Sequence, residues 1–151
     1  MGNKKDWDKV ILKKKIAVLL GGISAERNVS LKTGKYVSKS LKKQGYQVKE
    51  IKVTANKKNL IKSLKKFKPD FIFNALHGTF GEDGQIQKLL DKLKINYSHS
   101  SAKTSEIAMD KKRTKNIFKK IGVPYPNDIQ VNKINFRKKI KQLPFQFPLV
   151  I

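Results

Sequence analysis

Three short apolar runs, each cut off from the next by a stretch with helical spacing, limit this chain to a narrow set of folds. The first, "KKIAVLLGG" (14–22), ends on paired glycines and reads as a buried strand, Ile16 to Leu20, entering a loop. From about Asn28 to Lys43, Val29, Thr33, Val37 and Leu41 recur every four positions and Gly45 lies just beyond, which predicts a helix with a glycine stop. "YQVKEIKV" (46–53) is rich in β-branched residues and predicts a second strand, followed by a Lys-rich helix over 57–67. "DFIFNAL" (70–76) predicts a third strand. After a glycine-rich loop, Ile86, Leu89, Leu90 and Leu93 fall at helical spacing. Strands alternating with helices in this way form a parallel α/β sheet with right-handed crossovers, whose ligands sit beyond the carboxyl ends of the strands.

The same reading continues along the chain. "INYSHSS" (95–101) predicts a short strand, with a helix through Ile107, Ala108 and Met109 and another over 111–120 that stops at "GVPYP". Beyond those prolines the pattern predicts a strand at 128–131, a helix near 134–142 and a strand at "FPLVI". The last residues carry no turn signal, so this strand is expected to continue past Ile151 and the chain to be truncated. At 151 residues, the length accommodates one ordinary domain or a small domain with part of another.

Composition excludes several function classes. With no cysteine there are no disulfides, thiolate zinc sites or cysteine nucleophiles. The charged start lacks the apolar stretch of a signal peptide, and no run approaches the ~18 apolar residues of a membrane span, so a soluble cytoplasmic protein is expected. A net charge of +24 suggests nucleic-acid binding. Yet only Arg27, Arg113 and Arg137 among the 35 basic residues are arginine, and the lysines are spread over nearly every predicted helix. Lys, Asn and Ile share A/T-rich codons, and genome composition is the preferred account of the charge.

Two loops occupy the sheet edge where ligands gather. "GGISAER" offers N–H groups to an anion, or its glycines merely permit the turn; it is neither a P-loop nor a dinucleotide fingerprint. Glu26 stands at the following helix start, where the macrodipole alone favours an acid. "HGTFGEDG" (77–84) opens on His77, one of only two histidines, at the end of a predicted buried strand where packing gains nothing from it; a functional role is favoured. Glu82 and Asp83 are close by. A metal site joining His77, His99 and these acids fits no familiar ligand spacing, and no metal site is assigned. "MDKKRTK" (109–115) is basic enough to touch phosphate, or is one more Lys-rich helix start.

Taken in order, "KIAVLLGGISAERNVSL", "ALHGTFGEDGQIQ", "YSHS" and "MDKKRTK" resemble the amino-terminal third of the D-alanine–D-alanine ligases, ATP-grasp enzymes of peptidoglycan synthesis. The resemblance runs from about Lys14 to Ile151. It implies a Rossmann-like parallel sheet, the pre-ATP-grasp domain, followed by an incomplete ATP-grasp region. It further implies joining of two D-alanines with ATP and Mg2+ (or Mn2+) through an acyl phosphate, in a homodimer. By resemblance, Glu26 holds the first D-alanine's ammonium, Val29 lines its site, His77 lies beside the amino-acid substrates, and Lys111 contacts ATP phosphate. Glu26 and His77 are thus the implied catalytic residues. The family's metal-binding acids have no counterpart here, and Lys88 stands where the family usually has a small residue.

Three segments are therefore expected: a basic leader over 1–13, an amino-terminal substrate domain over 14–108, and the start of an ATP-grasp domain over 109–151. This chain alone is expected not to ligate D-alanine. The competing readings are a basic nucleic-acid-associated α/β domain and a noncatalytic interaction domain derived from the ligase.

Overall fold

The computed structural model describes residues 14–141. They divide into two compact units, one running to Thr114 and the other starting at Lys115. The first is built on a four-stranded, wholly parallel sheet: β1 (Lys15–Gly21), β2 (Gln47–Val53), β3 (Phe71–Asn74) and β4 (Asn96–Tyr97), in the order β2-β1-β3-β4. Register runs from Lys15 opposite Gln47 to Gly21 opposite Val53, and from Ile16 opposite Phe71 to Leu19 opposite Asn74. Helices α1 (Arg27–Lys43), α2 (Lys57–Phe67) and α3 (Gln85–Lys92) make the connections, and α4 (Ala102–Met109) follows β4. The mixed α/β fold is the one the alternating runs predict.

Strand alternation divides the core between the two sheet faces. Ala17 and Leu19 of β1 join Ile51, Val53 and Ile72, covered by Leu60 and Leu64 of α2 and Ile86 and Leu90 of α3. Ile16 and Val18 face the other way, with Val37 and Leu41 of α1 packed against them. The larger cluster has eleven buried members, each side chain of Leu, Ile or Phe size contributing about 1.5–3 kcal/mol, so this face dominates stability.

Helix α2 begins where the side chain of Asn56 accepts from the Asn59 amide at 3.2 Å, and ends at Lys68 in the left-handed conformation, φ 50°. Its bounds are those read from sequence. In α1 the buried face is rotated from the expected one: Ser30, Gly34 and Ser38 are buried, whereas Val29 is 54% exposed. Steric space decides this. A Cβ on Gly34 would lie 2.4 Å from Leu20 Cβ, so the helix backbone lies directly on β1 and only small residues fit beneath it.

Helix α5 (Lys111–Ile121) buries none of its residues, and in the second unit α6 (Phe136–Ile140) is shorter than the helix expected near 134–142. Residues 128–131, expected as a strand, have no strand pairing. Among the described residues no strand lies beside this stretch, and propensity alone does not make a strand. The expected strand "FPLVI" and the leader lie outside the described residues.

Candidate functional site

Beyond the carboxyl ends of β1 and β3 the two candidate loops meet. Ser24 Oγ donates to the carbonyl of His77 at 2.8 Å, and a Cβ on Gly78 would lie 2.8 Å from Glu26 Oε2. Fifty-three residues of sequence separate Ser24 from His77. Parallel pairing of β1 with β3 brings them together, because each loop leaves the same end of a neighbouring strand.

The loop after β1 is held by its own interactions. Gly21 N donates to Ser30 Oγ at 2.8 Å, and Gly22 N to the carbonyl of Val53 at 3.1 Å. These two amides are occupied, which corrects the expectation that the glycine N–H groups stand free for an anion. Arg27 donates from one guanidinium nitrogen to the carbonyls of Gly22, at 2.6 Å, and Val53, at 3.0 Å, clamping the β1 and β2 edges. The Ser30 hydroxyl, wholly buried, also donates to the carbonyl of Ala75 at 2.7 Å. Sequence reasoning missed Ser30 and Arg27 as site-shaping residues. Each joins a nearby partner, 5 and 9 residues away, to a distant one, 26 and 45 residues away, and the local pattern carried no sign of the distant ones.

Glu26 itself is exposed, and it is the last residue before α1. Val29, one turn into α1, is exposed as well. The His77 ring is partly covered, its side chain 31% exposed; its Nδ1 lies 3.7 Å from Glu82 Oε1, and its Nε2 is shielded from solvent with no hydrogen-bond partner. Lys111 is exposed at the first position of α5, where Asp110 accepts from the Arg113 amide at 3.0 Å. The first turn of that helix contains no acid; Arg113 pairs with Glu106 Oε1 at 3.6 Å, and Lys111 and Lys112 stand against the positive helix end.

The two acids of "HGTFGEDG" serve the loop's backbone. Glu82 accepts from Gly78 N at 2.7 Å, and Asp83 from the amides of Phe80, 3.0 Å, and Gln85, 3.1 Å. Among the described residues, no three His, Asp or Glu side chains converge as a metal site would require. Phe80 takes φ 73°, costly for a bulky residue, and this network holds it there. Burial raises the Asp83 pKa, but hydrogen bonds from Phe80, Gln85 and the Gln85 side chain outweigh it and hold the carboxyl below its ordinary value of 3.8. A depressed carboxylate stabilises the fold above its ordinary pKa, and that contribution is lost as pH falls through the depressed value. Asp83→Asn is thus expected to lower the thermal midpoint at pH 7 and to flatten its decline below about pH 4; parallel melts at pH 7 and pH 3 measure both effects.

A parallel α/β sheet with two loops joined at its carboxyl edge defines a Rossmann-like α/β module. Residues 56–100 match the family model described as "D-ala D-ala ligase N-terminus". The chain is 49% identical over 142 residues to the D-alanine–D-alanine ligase of Pelagibacter ubique, covering 91% of this chain and 45% of that protein. It is 51% identical over 111 residues to that of Acidiphilium cryptum, covering 74% and 36%. A crystal structure of the Bacillus anthracis ligase superposes with TM-score 0.73 at 37% identity, over 87% of this chain and 43% of that one. The same enzyme complexed with ATP gives 0.68 at 34%, over 82% and 44%. The chain is a relative of the D-alanine–D-alanine ligases, matching the amino-terminal part of that family, and spans less than half the length of these relatives.

Proposed function

We propose that this chain forms one wall of the amino-acid site of an ATP-dependent D-alanine–D-alanine ligase of peptidoglycan synthesis, in the cytoplasm. The observation that carries the reading is the Ser24–His77 link, which joins the "SAER" and "HGTFGEDG" motifs at one sheet edge. The Glu26 carboxylate, exposed beside Gly78, is available to a substrate ammonium. Val29 offers an apolar surface to a methyl group, and the partly exposed His77 ring lies at the same edge, its Nδ1 3.7 Å from Glu82 Oε1.

For the nucleotide, the fit lies in α5. Asp110 accepts from the Arg113 amide and Arg113 pairs with Glu106 at 3.6 Å, while Lys111 and Lys112 add positive charge at the helix start, where a phosphate group would be favoured, and Lys111 is placed to meet it. ATP would supply the phosphoryl group that activates the first carboxylate. The described residues do not fit a Mg2+ or Mn2+ site, and no step is assigned to the metal. We take residues 109–151 as the start of the ATP-grasp region and the full-length enzyme as a homodimer.

A chimera in which this chain replaces the matching part of the Pelagibacter ubique ligase tests the reading through phosphate release dependent on ATP and D-alanine. Glu26→Ala and His77→Ala should each lower kcat/KM by more than about tenfold, as loss of a charge-assisted contact does. Lys88→Ala, which removes an exposed ion pair with Glu106, should leave it within about twofold. Full activity in both site variants would refute the assignment.

A further inference from the structure

His99 has no part in the site just described, yet it closes a buried hydrogen-bond hub directly behind the loop that carries His77. The hub is Asn74, the last residue of β3, only 4% exposed. Its Oδ1 accepts from the Leu76 amide at 3.2 Å, and its Nδ2 donates to the carbonyl of Gly81 at 2.9 Å. Reversing the amide would set oxygen against oxygen at Gly81 and nitrogen against N–H at Leu76, so its orientation is determined. The same Nδ2 lies 2.8 Å from His99 Nδ1. Because Nδ2 only donates, Nδ1 has to accept, and the imidazole carries its proton on Nε2.

This arrangement fixes the middle of the loop. The Gly81 carbonyl takes a second hydrogen bond from Gln87 Nε2 at 3.0 Å, which fills both its lone pairs, and both Asn74 amide hydrogens are spent, on Gly81 and on His99. A proton placed on Nδ1 would turn the acceptor into a donor facing a donor. Asp91, Lys94 and Tyr97 line the shallow cavity that His99 also lines, and Asp91 is already engaged by the Tyr97 hydroxyl at 2.9 Å.

We propose that His99, as the Nε2–H tautomer, is a positioning residue: it holds the Asn74 amide on the Gly81 carbonyl and so sets the 77–84 loop. The claim concerns loop geometry and holds whatever the loop binds. It makes the chain's two histidines act at different distances from the edge, His77 on the loop and His99 beneath it.

Nitrogen-resolved NMR of the 151-residue chain tests it. The His99 ring should show protonated Nε2 and bare Nδ1. In His99→Leu, which removes the acceptor, the Leu76 and Gly81 amides and the Gln87 side-chain amide should shift, and exchange at Leu76 N–H should quicken about tenfold, the loss of one ordinary hydrogen bond. His99→Asn, which keeps an acceptor near the Nδ1 position, should hold them where the unaltered chain has them. A protonated Nδ1, or loop amides unmoved in His99→Leu, would overturn the proposal.

Discussion

Ser30→Ala is expected to destabilise the first unit by about 2–4 kcal/mol, although it removes a single oxygen atom. That oxygen accepts from Gly21 N at 2.8 Å and donates to the carbonyl of Ala75 at 2.7 Å, in a position with no solvent exposure. Regular pairing of β1 with β3 ends at Leu19 opposite Asn74, with one further bond from Ala75 N to the Leu19 carbonyl at 2.9 Å. Beyond this the Ser30 hydroxyl is the cross-link between the two strand ends. Alanine would leave a buried N–H and a buried carbonyl unpaired, each costing about 1–3 kcal/mol. Ser30→Cys, similar in size but a weak hydrogen-bonding group, should fall between the two. Urea unfolding followed by circular dichroism measures the difference. A loss below about 0.5 kcal/mol, less than one ordinary hydrogen bond, would mean that the two strand ends do not depend on this bridge.

The effect should extend to the site. Ser30 fixes where the loops after β1 and β3 leave the sheet, and those loops carry Ser24 and His77. Arg27 does the same between β1 and β2. The proposed substrate wall thus depends on two side chains that point inward toward the backbone.

Those two residues mark the limit of what the sequence made legible. Strand β1, helix α2 and the glycine stop after α1 follow from local pattern, because a buried strand needs an apolar run and a helix end needs a residue that accepts positive φ. The meeting of "SAER" with "HGTFGEDG" followed from topology, since parallel strands deliver their loops to one edge. The buried face of α1 did not follow. Val29, Thr33, Val37 and Leu41 looked like its apolar stripe, but the helix approaches β1 so closely at Gly34 that Ser30 and Ser38 flank the contact. Hydrophobic periodicity reports which residues favour burial, and at close approach size overrides that preference. Glu82 and Asp83 were noted beside His77 without a role; both accept from the loop's own amides, and the second oxygen of Glu82 lies 3.7 Å from His77 Nδ1. A carboxylate beside glycines has two uses, and the sequence does not distinguish them.

That same loop yields the most severe expected result, for Gly81→Ala. A Cβ there would lie 2.5 Å from Leu76 Cβ and 2.9 Å from the Leu76 carbonyl carbon. These are a first side-chain carbon and a backbone atom, so no rotamer change relieves the overlap; the loop or the end of β3 has to move. Overpacking of this kind costs about 1–3 kcal/mol. Displacing Gly81 also pulls its carbonyl from Asn74 and Gln87, both buried, at about 1–3 kcal/mol more. Together these approach about 3–5 kcal/mol, a large part of the total of about 5–15 kcal/mol that holds a typical domain folded. Gly122→Ala is the control. Gly122 has φ 72° but nothing within 4 Å of its added Cβ, so it should cost only the backbone strain of about 1–2 kcal/mol. Gly81 has no positive φ, so equilibrium unfolding of the two variants sets a cost of contact against a cost of conformation. Equal costs would mean that the 77–84 loop yields at Leu76 without breaking its buried bonds, and the rigid wall beside His77 would then lose its physical basis.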